Sequence, residues 1–329
     1  MRQPDTGAKD KAQLEPNAVN KRPDKARFKA RLRALAVDFA ARGLLLLIWL
    51  FHWLPLPVQA VVGTSLGAVL WRVAHRRRDI ALRNLELCFP ELALPVRETL
   101  VREHFCWLGR SLLERGLLWY ASPARLRRLI QVEGDVHFAE RSGRPVMWLV
   151  PHFMALDVAG VATQIYQRRM VGSIYQAQSN HVLDAAMRKG RTRFGFAEIF
   201  SRHESALPLV RAIKRGHVFF NLPDMDFGPR DAAFVPFFGV KAATLLAPSR
   251  MARSLGMLVQ PIVAEMLPGG RGYHVKFLEP WTDWPTADPV ADAKRMNAWI
   301  EGEVRSNPTQ YLWVHKRFKT RPPGRHSVY

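Results

Sequence analysis

A chain of 329 residues with 48% hydrophobic content can bury one sizeable core, or one domain plus an anchor, and is excluded from the disordered class. Its formal net charge of +21 calls for an anionic partner: nucleic acid, an acidic membrane surface, an acidic protein or a phosphorylated substrate. Cys88 and Cys106, the only two cysteines, read as ordinary thiols of a reducing compartment. No Cys/His cluster has zinc spacing and no glycine-rich nucleotide loop is present, so neither metal nor cofactor is expected.

In chain order, residues 1–35 carry Pro4, Pro16, Pro23 and the run KRPDKARFKARLR. They are expected to form a disordered basic tail, and they lack the pattern of a signal peptide. Residues 36–83 follow as a membrane anchor with a basic collar. The apolar run from Gly43 to Leu54 spans only ~18 Å as a helix, short of a ~30 Å hydrocarbon core. Continuing past Pro55 and Pro57 to Val62 reaches the needed length, and Trp49 and Trp53 suit an interface. Basic clusters lie on both flanks, Lys21 to Arg33 and Arg72 to Arg83, whereas a simple span prefers positive charge on one side. A re-entrant or interfacial helix pair, bent at the prolines, satisfies both flanks. A buried core helix is the competing reading. The collar suits anionic lipid.

Residues 84–324 read as one globular domain, with 325–329 as a short tail. The stretch from Pro95 to Tyr120 predicts a long helix. Strands are then expected at 146–150, 170–175, 197–200, 217–222, 258–265 and 273–278. Helices are expected at 155–166, 182–193, 204–214 and 243–255. Such alternation predicts an α/β fold, with a central, largely parallel sheet flanked by helices behind the N-terminal hydrophobic membrane-anchoring helix.

One short stretch carries candidate chemistry. In VMWLVPHFMALDVAG, Val146 to Gly160, a buried strand ends at Pro151, and His152 and Asp157 follow at the junction with a helix. With 11 His and 28 acidic residues, chance alone supplies about one His with a carboxylate five positions on. His274 and Glu279 form a second such pair, but on an alternating strand residues five apart face opposite ways. A turn followed by a first helical turn can bring His152 and Asp157 together, at the strand end where α/β sheets gather their ligands. Spacing leaves a catalytic pair and an accident of composition both open.

Other candidates follow the later strands. Arg188 and Arg191, three apart, share a helical face and suit phosphate; a solvated basic face competes. Asn180 reads as a helix cap or a head-group ligand. Asp224 and Asp226 follow the strand at 217–222 and are expected to face the site as substrate-binding residues, with a turn role as the alternative. Phe237 and Phe238 read as core, or as a wall of an apolar groove. Glu114 is expected to pair with a basic residue. Lys316, Arg317, Lys319 and Arg321 read as a basic surface. Nothing resembles a nucleic-acid-binding module, so the basic field is assigned to lipid and acidic protein.

Three stretches in register resemble one family: RNLELCFPEL (Arg83 to Leu92), LPDMDFGPRDAAFVPFFGVKAATLLAPSRMA (Leu222 to Ala252) and QYLWVHKRFKTRPPG (Gln310 to Gly324). They are similar to the bacterial lipid A secondary acyltransferases, the lauroyl and myristoyl transferases of the wider glycerolipid-acyltransferase group. The resemblance implies a single N-terminal anchor at the inner membrane, a cytoplasmic-face domain, acyl carrier protein thioesters as donor and a phosphorylated lipid acceptor. It implies His152 as general base with Asp157 holding its tautomer, where most lipid A members carry Glu at the second position. It also implies Asp226 as an acceptor-orienting residue. Backbone N–H groups at the start of the helix after His152 are the expected oxyanion donors. Another lipid hydroxyl or amine as acceptor, or a non-enzymatic basic membrane adaptor, are the alternatives.

Overall fold

The structure is a computed structural model that describes residues 24–202 and 205–329. Its first element is α1 (Asp24–Phe51), followed by α2 (Leu56–Val73) after a tight turn at which Pro55 precedes the helix. Residues 24–35, expected in a disordered tail, are therefore helical: Ala and Arg are strong helix formers and no proline interrupts them. The remainder of that expected tail, residues 1–23, lies outside the described residues. The two helices bend at the proline pair, and Phe28–Phe51 and Leu56–Val73 are each long and apolar enough to cross a membrane.

Next come α3 (His75–Cys88), α4 (Leu94–Leu113), α5 (Arg115–Tyr120) and α6 (Pro123–Leu129). The long helix predicted over residues 95–120 thus breaks at Glu114. The expected boundary at 83/84 falls inside α3, whose Ala81, Leu85 and Cys88 are buried in the main core. α2 and α4 cross backbone to backbone. A Cβ on Gly109 of α4 would lie 2.3 Å from the Gly63 carbonyl oxygen of α2 and 2.4 Å from the Gly67 amide. Small residues at such a crossing let helices approach closely. Gly109→Ala is therefore expected to force the pair apart and cost about 1–3 kcal/mol, as overpacking does, read as a lowered thermal unfolding midpoint in detergent.

The α/β body follows: β1 (Ile130–Gly134), α7 (Phe138–Arg141), β2 (Val146–Leu149), α8 (Leu156–Ile165), β3 (Val171–Tyr175), α9 (His181–Thr192), β4 (Ala197–Ser201), α10 (Leu207–Lys214), β5 (Val218–Asn221), β6 (Ala232–Phe237), β7 (Val240–Leu245), α11 (Ala247–Ser254), β8 (Leu258–Met266), β9 (Tyr273–Phe277) and α12 (Pro289–Ser306). Seven strands form one sheet in the order β1-β9-β8-β2-β5-β3-β4. Every neighbouring pair is parallel except β8 with β9. β2, at the centre, is buried at every position, as a parallel strand covered on both faces must be. One core lies on each side of the sheet: Met147 and Leu149 face one, Val146 and Trp148 the other.

The predicted helix at 243–255 starts late. Residues 240–245 are β7, paired with β6 in a separate antiparallel hairpin. Phe238 and Gly239 both take positive φ at its tip, the two-residue turn that matches strand twist. β1 and α12 carried no recognised sequence signal. Residues 325–329, expected as a tail, end packed against the core. Arg83 donates to the Val328 carbonyl, Phe318 N–H donates to the Tyr329 hydroxyl (3.1 Å), and that hydroxyl donates to Asn84.

Candidate active site

Sheet register decides which side chains meet. β2 and β5 are paired with Leu149 opposite Asn221. Three residues beyond each lie His152 and Asp224, so the two strands deliver them side by side at their carboxyl ends, where α/β sheets place their sites. Asp224 grips His152 twice. One carboxylate oxygen accepts from the His152 backbone N–H (2.8 Å), the other from Nδ1 (2.6 Å). Nδ1 donating to a carboxylate makes Nε2 the basic nitrogen, and His152 lines a large cavity.

The expected contact between His152 and Asp157 is not what the structure has. Asp157, in the first turn of α8, turns to two guanidiniums. Arg191 donates from Nε (3.0 Å) and Nη2 (2.8 Å), and Arg115 lies 3.1 Å away through Nη2. Two forks on one carboxylate outcompete a neutral imidazole, and a second carboxylate already holds the ring. Burial pushes the Asp157 carboxyl up, but the charges of Arg191 and Arg115 outweigh it and hold it at about 2. Asp224 is fully buried, which raises a carboxyl, and the His152 charge and hydrogen bonds nonetheless bring it below its ordinary value.

A second histidine completes the surroundings. His315 Nε2 accepts from the Asp226 backbone N–H (3.1 Å). Burial, then the nearby His152, lower it to about 4, so it stays neutral near pH 7. Tyr311, fully buried, is pushed well up by burial and by the charge of Asp224.

The other sequence candidates take mostly structural posts. Asn180 caps α9 by accepting from Leu183 N–H (3.0 Å), and it donates to Asp38 of α1 (3.1 Å). Arg188 donates to the Tyr175 hydroxyl (2.7 Å) and stacks over that ring; Arg191 alone of the pair reaches the cavity. Asp226 accepts from the Thr320 amide (2.6 Å), the Thr320 hydroxyl (2.7 Å) and the Gly228 amide (2.9 Å), tying the C-terminal segment to the loop after β5. Phe237 and Phe238 are core. Arg317, expected on a basic surface, is 2% exposed and donates to the Ala243 carbonyl and the Thr244 hydroxyl. His274 pairs with Glu133 on the neighbouring strand (2.9 Å), not with Glu279. Of the amides expected to hold an oxyanion, Met154, Leu156 and Val158 are committed to the carbonyls of Gln310, Phe153 and Ala155. Among the described residues, no group of three or more His, Cys, Asp or Glu could hold a metal ion.

The cavity has a volume of about 920 Å³ and two characters. His152, Asp157, Arg115, Arg191 and Arg202 give its lining polar, net positive groups. Leu44, Leu45 and Ile48 of α1, with Leu66 of α2 and Leu108 and Leu112 of α4, give it apolar ones. A neutral imidazole with a buried carboxylate behind it can take a proton from a weak nucleophile and later return it to a leaving group. A cavity lined by both arginines and long apolar side chains fits a substrate that carries both an anionic group and lipid chains.

That class, an α/β enzyme transferring groups to or from lipids, narrows on comparison. Residues 26–320 match the family described as bacterial lipid A biosynthesis acyltransferase, and the chain belongs to it. It is 34% identical over 285 residues to the lipid A biosynthesis palmitoleoyltransferase of Escherichia coli K12, covering 86% of this chain and 92% of that one. The lauroyltransferase of the same organism is matched at the same identity and coverage, and its myristoyltransferase at 30% over 270 residues, 82% of each chain. The chain is thus an acyltransferase of lipid A biosynthesis. A solved 1-acyl-sn-glycerophosphate acyltransferase from Thermotoga maritima aligns at a TM-score of 0.37 with 13% identity, over 77% of this chain and 98% of that one.

Proposed function

We propose that the protein moves a fatty acyl chain from an acyl-carrier-protein thioester to a hydroxyl of a phosphorylated lipid A precursor, at the cytoplasmic face of the bacterial inner membrane. Nε2 of His152 takes the hydroxyl proton as the oxygen attacks the thioester carbonyl carbon. The tetrahedral intermediate collapses, the carbon–sulfur bond breaks, and the imidazolium returns the proton to the departing thiolate. Products are an ester and a free thiol, with no acyl-enzyme. Asp224 holds the imidazole tautomer and stabilises the imidazolium, the part first given to Asp157. Asp157 instead aligns Arg191 and Arg115 toward an acceptor phosphate, for which their forks are suited. Arg188, Asn180 and Asp226 support the surroundings of the cavity through Tyr175, α9 and the loop after β5.

One observation supports the reading: His152, held by Asp224, lines a cavity that both arginine and long apolar side chains also line. The net charge of +21 supports steering of an acidic carrier protein and contact with anionic lipid. The test is acyl transfer by the purified protein with acyl-carrier-protein thioesters and a panel of lipid acceptors, read by mass spectrometry. An acylated lipid A precursor is expected. Transfer confined to lysophospholipids or amino-acid lipids would move the acceptor elsewhere.

A further inference from the structure

α1 has the composition of an anchor, yet it is built into the enzyme. Its face toward the domain is a narrow seam: Ala41 is 6% and Ile48 9% exposed, Leu45 is half-buried, and His52 is buried one turn further on. The flanking Phe39, Leu46, Leu47, Leu50 and Trp53 are exposed. Three separate contacts hold the seam. Asp38 accepts from Asn180 at the start of α9. The Ile48 carbonyl lies so close to Gly116 of α5 that a Cβ there would sit 2.4 Å from it. Arg125 donates to the carbonyls of His52 (2.5 Å) and Leu54 (2.6 Å). Between the first and last of these contacts, Leu44, Leu45 and Ile48 line the same cavity as His152. Leu44 does so while 46% exposed, so the cavity wall reaches the outer face of the helix.

We propose that this helix forms the wall of the site for the transferred acyl chain, and that Leu45 and Ile48 set the chain length the enzyme prefers. The inference rests on the acyl-transfer reading above. The reacting thioester carbon is the first atom of the fatty chain, so a chain placed for reaction at His152 must run onward within that cavity. The lining arginines, Arg115, Arg191 and Arg202, offer a hydrocarbon little and suit a phosphorylated acceptor. The apolar lining comes largely from α1, α2 and α4. A side chain that closes such a cleft reads length methylene by methylene, each step changing specificity by roughly 10-fold or more.

The experiment is a competition among acyl-carrier-protein thioesters of graded chain length, with product ratios read by mass spectrometry. Leu45→Ala and Ile48→Ala are expected to move the optimum about two carbons longer and change the ratio for neighbouring lengths about 10-fold. Leu45→Phe is expected to move it shorter. Leu46→Ala and Leu47→Ala, on the exposed face of the same helix, are expected to leave the ranking as in wild type. A ranking unchanged in every variant overturns the proposal, as does an altered acceptor KM with donor ranking intact, which would place the acceptor's own chains in the cleft. A second readout is independent of transfer. A fatty-acyl thioester carrying a diazirine near its chain end should label residues 41–52, and excess unlabelled thioester should compete the label away. Labelling without transfer to any lipid A precursor would sink the proposed acceptor and keep the chain site. Transfer with no competed labelling of α1 would do the reverse.

Discussion

Asp224→Asn is expected to lower kcat for acyl transfer by roughly 10²–10⁴-fold, close to the loss in His152→Ala, with KM for the acceptor little changed. The amide cannot take the place of a carboxylate that accepts from both the His152 amide and Nδ1. It also removes the charge that stabilises an imidazolium. Asp157→Asn is expected to act differently. Its partners are Arg191 and Arg115, so its loss frees two guanidiniums and should appear mainly as a raised acceptor KM. The pH profile adds a second check. Asp157 is held at about 2 and Asp224 below its ordinary value, so both are ionised at and above pH 5; His315 at about 4 is neutral there. None of these three groups is then expected to contribute an ionisation to kcat/KM above pH 5, and the profiles of wild type and Asp157→Asn should have the same shape there. Full activity in Asp224→Asn beside an inactive Asp157→Asn would return the orienting role to Asp157.

Arg110→Met is expected to be the most destabilising single change outside the site, at about 3–5 kcal/mol. Arg110 and Glu114 are both buried on α4 and at its end, with Nε 2.7 Å from the carboxylate, and Tyr273 donates to the other oxygen at 2.7 Å. Arg110 also donates to the Leu267 carbonyl (3.0 Å) and lies over Trp107. Burial already raises the Glu114 carboxyl, and Arg110 is the main group pulling it back. Without Arg110 the carboxyl should rise further. A folded-state value above the unfolded one means stability fully present below the ordinary carboxylate range and lost as pH rises through the raised value. The variant should therefore unfold more readily at pH 8 than at pH 5 in denaturant titrations, with a steeper pH dependence than wild type. Equal loss at both pH values would show that lost packing on Trp107, and not an unpaired charge, sets the cost.

The α/β alternation was readable because it is written locally: β2, β3, β4, β5, β8 and β9 fall where apolar runs of strand length lie between turn residues, and α8 and α9 between them. Glu114 was expected to find a basic partner, and Arg110 is one helical turn away. Asp224 was recognised as a strand-end residue, but not as the partner of His152. No local pattern reports that β2 lies beside β5, and 72 residues separate the two side chains. Proximity in sequence favoured Asp157, and only the fold showed that two arginines claim it. Arg317 misled for the same reason: a basic run looks like surface until the carbonyl of Ala243 and the hydroxyl of Thr244, from a distant hairpin, supply its partners. α1 is the third instance. Its composition determined that it is apolar enough for lipid, and the tertiary structure decided that one seam of it closes the cavity. Periodicity and composition act between neighbours along the chain, whereas strand pairing and helix docking join segments far apart in it.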